Sequence, residues 1–378
     1  MLHLANCQIG PIGFSSLLVA FEFGACDGLT SLDLSRNRLY APGLVAFARL
    51  LEKGREGGRE ERREEEEEEG RMAELVPPPS FPPRLPHLQH LLLGNVWASA
   101  IGAAALAAAF ASGACPSLLT LDMSYNDLHS AGAQALLSAF ASSGACAKLQ
   151  RLNLAGNGLG AQGAWEIGRA FASGWGKALR VLSLASNGLG AGGVEALLEA
   201  ARGGTGREGG RERDRPFRYY HVREEGMNVG GGRRDHLRPD FASSSYLAST
   251  SSSSAFPPPL LVTVPSEASS YPLQSLQILN LFLNGAGDEG ASEVAAALAH
   301  GLLPSLQFLD LAANRITQEG VGGLVSALQE DRDGIEGEGG VYLRVRRRRK
   351  RPDLNLAFNL LPWEKESYVH AMPPGVSL

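Results

Sequence analysis

LQRLNLAGNGLGAQGAWEIGRAF, residues 149–171, poses the question that decides the fold. A strand-like stretch, LQRLNLA, runs into Gly158-x-Gly160-x-x-Gly163 and then into a helical pattern. That is the outline of a dinucleotide-binding turn, in which glycines let the backbone approach a pyrophosphate at a helix N-terminus. Such a fingerprint should occur once. Here it returns downstream in LRVLSLASNGLGAGGVEALLEA, which starts at Leu179, as Gly188-x-Gly190-x-x-Gly193. A periodic signal needs a periodic explanation.

The shared pattern is L-x-x-L-x-L-x-x-N-x-L-x-x-x-G. Its asparagine slot holds Cys7, Asn37, Val96, Asn126, Asn157, Asn187, Asn284, Asn314 and Asn359, with unit spacings of 30 or 31 residues where no insertion intervenes. A glycine follows each slot at the same offset, at Gly13, Gly43, Gly102, Gly132, Gly163, Gly193, Gly290 and Gly320; the last unit carries Lys365 instead. Apolar residues then recur at helical spacing: Leu17, Phe47, Leu106, Leu136, Ile167, Leu197, Val294 and Leu324, and one turn later Phe21, Leu51, Phe110, Phe140 and Phe171. Each unit therefore reads as a short strand, a turn and a helix of about three turns.

This pattern resembles a leucine-rich repeat array of the long-repeat kind found in ribonuclease inhibitor, Ran GTPase-activating protein and the sensor arms of NLR immune receptors. The resemblance covers about 267 of the 378 residues. It implies an α/β solenoid (a horseshoe), with parallel strands on the concave face and helices on the convex face. One unit cannot bury its apolar face alone, so neighbours stack and share a core. The three leucines of each strand point inward. The Asn amides are expected to bond open backbone groups as a ladder of Asn37, Asn126, Asn157, Asn187, Asn284, Asn314 and Asn359. The repeated glycine marks a turn-to-helix junction where packing is close or φ unusual.

Three insertions interrupt the repeat, each after a helix and before the next strand. The expected organisation is repeats at 1–51, a low-complexity insertion at 52–86, repeats at 87–202, and a second insertion at 203–272. Repeats resume at 273–330; a third insertion with a basic run spans 331–350, and a last repeat with a partial cap spans 351–378. The two long insertions begin in Gly, Arg and Glu and end in Pro, Ser, Phe and Leu, as in GREGGREERREEEEEEG and VPPPSFPPRLP. Purine-rich codons giving way to pyrimidine-rich ones is how a retained intron would translate. Disordered loops are the alternative. The chain begins within a repeat, so a longer protein or a shortened gene model is expected at its N-terminus.

Chemistry-bearing motifs are few. There is no P-loop, no H-E-x-x-H and no Ser/His/Asp arrangement among His3, His87, His90 and His129. Cys26, Cys115 and Cys146 share one repeat slot and are expected to be small core residues; with Cys7 they lack metal-site spacing. No catalytic residue, cofactor or metal is expected. The net charge is −5, so no global field points to nucleic acid. The acidic run Glu64–Glu69 reads as a solvated tract, and RVRRRRKR, residues 344–351, offers at most nuclear targeting. No signal peptide or long apolar run is present, which favours an intracellular, cytoplasmic protein.

The concave face is the best functional surface. Its candidate binding residues are Asp33, Asp122, Asn153, Ser183, Asn280, Phe282, Phe308, Asp310, Asn355 and Phe358, with Ile278 joining the phenylalanines in an apolar stripe. The expected function is non-catalytic protein binding as a scaffold or regulator. The alternatives are a GTPase activator resembling Ran GTPase-activating protein, with rim residues Arg36, Arg38 and Arg315, and a sensor arm lacking its nucleotide-binding domain. The partner is a protein of unknown identity, with a small GTPase the specific alternative.

Overall fold

The computed structural model describes residues 1–23, 26, 28–52, 85–201, 273–329, 352–357, 359 and 376–377. These lie in one compact unit, Met1–Gly204 with Ser269–Leu378; the other unit, Thr205–Ala268, is outside the described residues. So are most of the three insertions, the runs Glu64–Glu69 and Arg344–Arg351, Phe358, and all of the expected cap except its last strand.

Ten strands form one parallel sheet in strict sequence order. They are β1 (Leu2–His3), β2 (Ser31–Asp33), β3 (His90–Leu92), β4 (Thr120–Asp122), β5 (Arg151–Asn153), β6 (Val181–Ser183), β7 (Ile278–Asn280), β8 (Phe308–Asp310), β9 (Asp353–Asn355) and β10 (Val376–Ser377). Each of the first eight is followed by a helix. These are α1 (Pro11–Glu22), α2 (40–52), α3 (Ser99–Ala111), α4 (His129–Ser143), α5 (Gly160–Ala172), α6 (Gly190–Ala201), α7 (Gly287–Ala299) and α8 (Gln318–Gln329). All connections run one way, so strands share one layer and helices the other. Strands stack about 4.8 Å apart and helices about 8–10 Å, which bends such a stack with its strands inside.

The register does not shift across the insertions. Leu32 pairs with Leu91 as Leu121 pairs with Leu152, and Leu182 pairs with Leu279. The second and third leucines of the units from Leu32 to Leu356 are buried, with Met123 in one such slot, and form one core with the helix faces. A buried column of Phe110, Phe140 and Phe171 is joined by Trp175, whose ring stacks on Phe140 at 5.0 Å and on Phe171 at 5.9 Å. Cys115 and Cys146 are buried as expected, Cys26 is half-buried and Cys7 is exposed. The carbonyls of Cys26, Cys115 and Cys146 accept the N–H of the first leucine of the next strand.

The fingerprint glycines divide into two kinds. Gly156, Gly158 and Gly160 have φ of +67°, +62° and +60°, and the same three positions in the preceding unit, Tyr125, Asp127 and His129, have +54°, +53° and +52°. These are left-handed turn slots of the repeat, where glycine is unstrained. The later glycine is a contact slot instead. A Cβ on Gly193 would stand 3.1 Å from the Cα of Ala161 in the preceding helix, and one on Gly132 would stand 3.3 Å from that of Ala100. The pattern is a packing rule of stacked units.

Candidate protein-binding surface

Each ladder asparagine reaches back to the unit before it. Oδ1 of Asn187 accepts the N–H groups of Asn157 and Leu159 at 2.9 and 3.4 Å, while Nδ2 donates to the carbonyls of Leu154 and Leu184, both at 2.9 Å. Asn157 does the same for Asn126 and Leu128, Asn284 for Asn187 and Leu189, Asn314 for Asn284 and Ala286, and Asn359 for Asn314 and Ile316. Asn37 and Asn126 serve the units of Cys7 and Val96. The break is at Val96. With no amide there, the N–H groups of Asn37 and Leu39 have no acceptor among the described residues, although both residues are buried.

The ladder positions the open face of the sheet. Side chains at alternate strand positions project from it in three columns. The central one holds the candidates Asp33, Asp122, Asn153, Ser183, Asn280, Asp310 and Asn355, all half-buried. Most of them have a structural task that the sequence did not reveal. Asp33 accepts the N–H of Ser35 at 3.0 Å, and Asp122, Asn153, Asn280, Asp310 and Asn355 do the same two residues on. Each side chain thus replaces a backbone acceptor where the strand ends. Two are also tied sideways: Asn153 donates to Asp122 and Asn355 to Asp310, both at 3.1 Å.

The outer column holds Ser31, His90, Thr120, Arg151, Val181, Ile278, Phe308 and Asp353, which meet in that order by strand pairing. It brings Ile278 directly beside Phe308; Phe282 follows two residues after Asn280, with Ile278 exposed and both phenylalanines half-buried. Midway along the sheet lies a hollow of about 200 Å³, floored by Leu121 and Leu152 and walled by Leu92, Thr120, Asp122, Arg151, Asn153, Val181 and Ser183.

The rim where strands turn into helices carries residues that the sequence reading overlooked. Tyr40, Trp97 and Tyr125 are 43%, 53% and 59% exposed. The rings of Tyr40 and Trp97 lie 6.1 Å apart. All three have left-handed backbones, with φ of +55°, +63° and +54°. A bulky side chain is uncommon there and costs on the order of 1 kcal/mol. Units further along place Gly156, Gly188 and Gly287 in such slots. Arg36, Arg38 and Arg315 are exposed on the same rim. No cluster of metal-ligating side chains occurs among the described residues.

Comparison with known proteins agrees with this geometry. A leucine-rich repeat family model matches residues 29–48, 114–137, 145–168, 178–198, 273–295 and 303–325. The units it leaves unmatched are those of Cys7, Val96 and Asn359, two with no asparagine in the slot and one with no repeat glycine. A search of the curated proteins found no match. The matched stretches and the unmatched units share one sheet and one core: the chain carries leucine-rich repeats at six positions and folds as an α/β leucine-rich repeat solenoid.

Proposed function

We propose that this array is a non-catalytic binding scaffold that holds a protein partner on its open strand face and the adjoining aromatic rim. One observation carries the reading. Tyr40, Trp97 and Tyr125 are large, exposed and held in backbone conformations that glycine would occupy without strain. They add little to the core, and tyrosine, tryptophan and arginine are the residues in which interface binding energy concentrates. The repeat sets the backbone of these turn slots but not their side chains, so large exposed rings there serve the surface. Leucine-rich repeats in general serve as interaction scaffolds, which accords with a protein partner.

A photo-cross-linking residue at Trp97 or Thr120 tests the surface, with one at Ala104 on the helix layer as control. Adducts from the first two positions and none from the third are expected. Equal adducts from all three contradict the reading. The same rim offers Arg36, Arg38 and Arg315 to a small GTPase, as a resemblance to Ran GTPase-activating protein implies. Faster GTP hydrolysis by a Ran-type GTPase, lost on Arg36→Ala, would favour that activator role over a passive scaffold. A sensor-arm role instead requires a nucleotide-binding segment encoded upstream.

A further inference from the structure

Three consecutive rungs of the ladder, Asn157, Asn187 and Asn284, are each followed by glycine, at Gly158, Gly188 and Gly285. In an open chain this pair is chemically labile. The backbone nitrogen of the glycine, unhindered by any side chain, attacks Cγ of the asparagine. A C–N bond forms, the side-chain nitrogen leaves as ammonia, and a cyclic imide results. Water then opens either imide carbonyl to give aspartate or its iso-linked isomer. The sum is one water consumed and one ammonia released, with no oxidant or cofactor.

The folded ladder blocks each step. Ring closure needs the side chain to swing onto the following amide, and all three amides are pinned by acceptors and donors from two units. The three residues are 1%, 3% and 2% exposed, so water is excluded as well. The other rungs, Asn37, Asn126, Asn314 and Asn359, precede Arg38, Asp127, Arg315 and Leu360, whose side chains hinder attack.

We infer that Asn157, Asn187 and Asn284 form a latent deamidation site, silent in the assembled ladder, which turns a transient opening of the array into permanent loss of a rung. The product cannot take its place again. Aspartate at position 187 would have no donor for the carbonyls of Leu154 and Leu184, which Asn187 now serves, and would bury a charge beside them.

The test is peptide mapping by mass spectrometry of the full chain, incubated at neutral pH with and without denaturing urea. In urea, all three sites should convert while the other four rungs lag. Without urea, conversion at each should be slower by at least ~100-fold, the protection expected of a buried, cooperatively held group. Gly188→Ala supplies an internal control, since in urea it should slow position 187 alone. Native conversion at the unfolded rate, or no preference for these three rungs in urea, would overturn the inference.

Discussion

A single side chain decides whether a rung exists, and Val96 shows this by omission. The ladder asparagine was legible in the sequence because nothing else explains one residue type returning at a fixed offset from three leucines. The buried N–H groups of Asn37 and Leu39 are the consequence of its replacement. Val96→Asn should restore both acceptors and raise stability by about 1–2 kcal/mol; a lower melting temperature for that variant would refute the ladder's energetic role. The Asp and Asn residues of the open face were legible as a column but not in their task, because a bond to the N–H two residues on leaves no periodic trace of its own. Asp33→Ala should cost about 1 kcal/mol through the lost bond to Ser35. Burial pushes the Cys115 thiol up from 9.0 to about 12, and burial and the neighbouring Cys115 push Cys146 up as well. These thiols stay protonated in the folded chain and ionise sooner in the unfolded one. Their contribution is therefore intact below pH 9 and falls as the pH rises from 9 toward 12. Thermal melts should show a loss of about 1 kcal/mol per thiol by about pH 10, and Cys115→Ala should remove about half of that loss.

Strands and helices were legible in kind and phase. The leucine spacing placed every strand from β2 to β9, and the apolar residues after each glycine placed the buried face of each helix. The repeat glycine was read as either close packing or unusual φ; the structure assigns it to close packing and moves the unusual φ to the turn before it. Gly193→Val should accordingly push α6 off α5 and cost at least about 2 kcal/mol, the range for overpacking. Gly192→Val, one residue away with nothing within 4 Å of its Cβ, should be far milder. Similar losses at both positions, measured by denaturant unfolding, would place the helix contact elsewhere. The aromatic rim escaped the sequence for a geometric reason. Tyr40, Trp97 and Tyr125 occupy three different slots, three after, one after and one before the asparagine position of their units. No single column of the repeat contains them, and only stacking brings Tyr40 against Trp97.

Stability of a stacked array is a sum of units and the interfaces between neighbours. Continuity across the insertions is therefore the property on which everything else rests: the shared core, the open face and the protection of the Asn-Gly rungs. The sheet keeps its register between β6 and β7 although 97 residues separate Asn187 from Asn284, and the amide of Asn284 holds the N–H of Asn187 at 3.0 Å. Amide hydrogen exchange measures that junction directly. In Asn284→Ala, the N–H groups of Asn187 and Leu189 should lose at least about tenfold of their protection, while those of Val96 and Ala98, held by Asn126, should stay as they are. Unchanged protection at Asn187 and Leu189 would contradict a ladder that runs unbroken from β6 to β7.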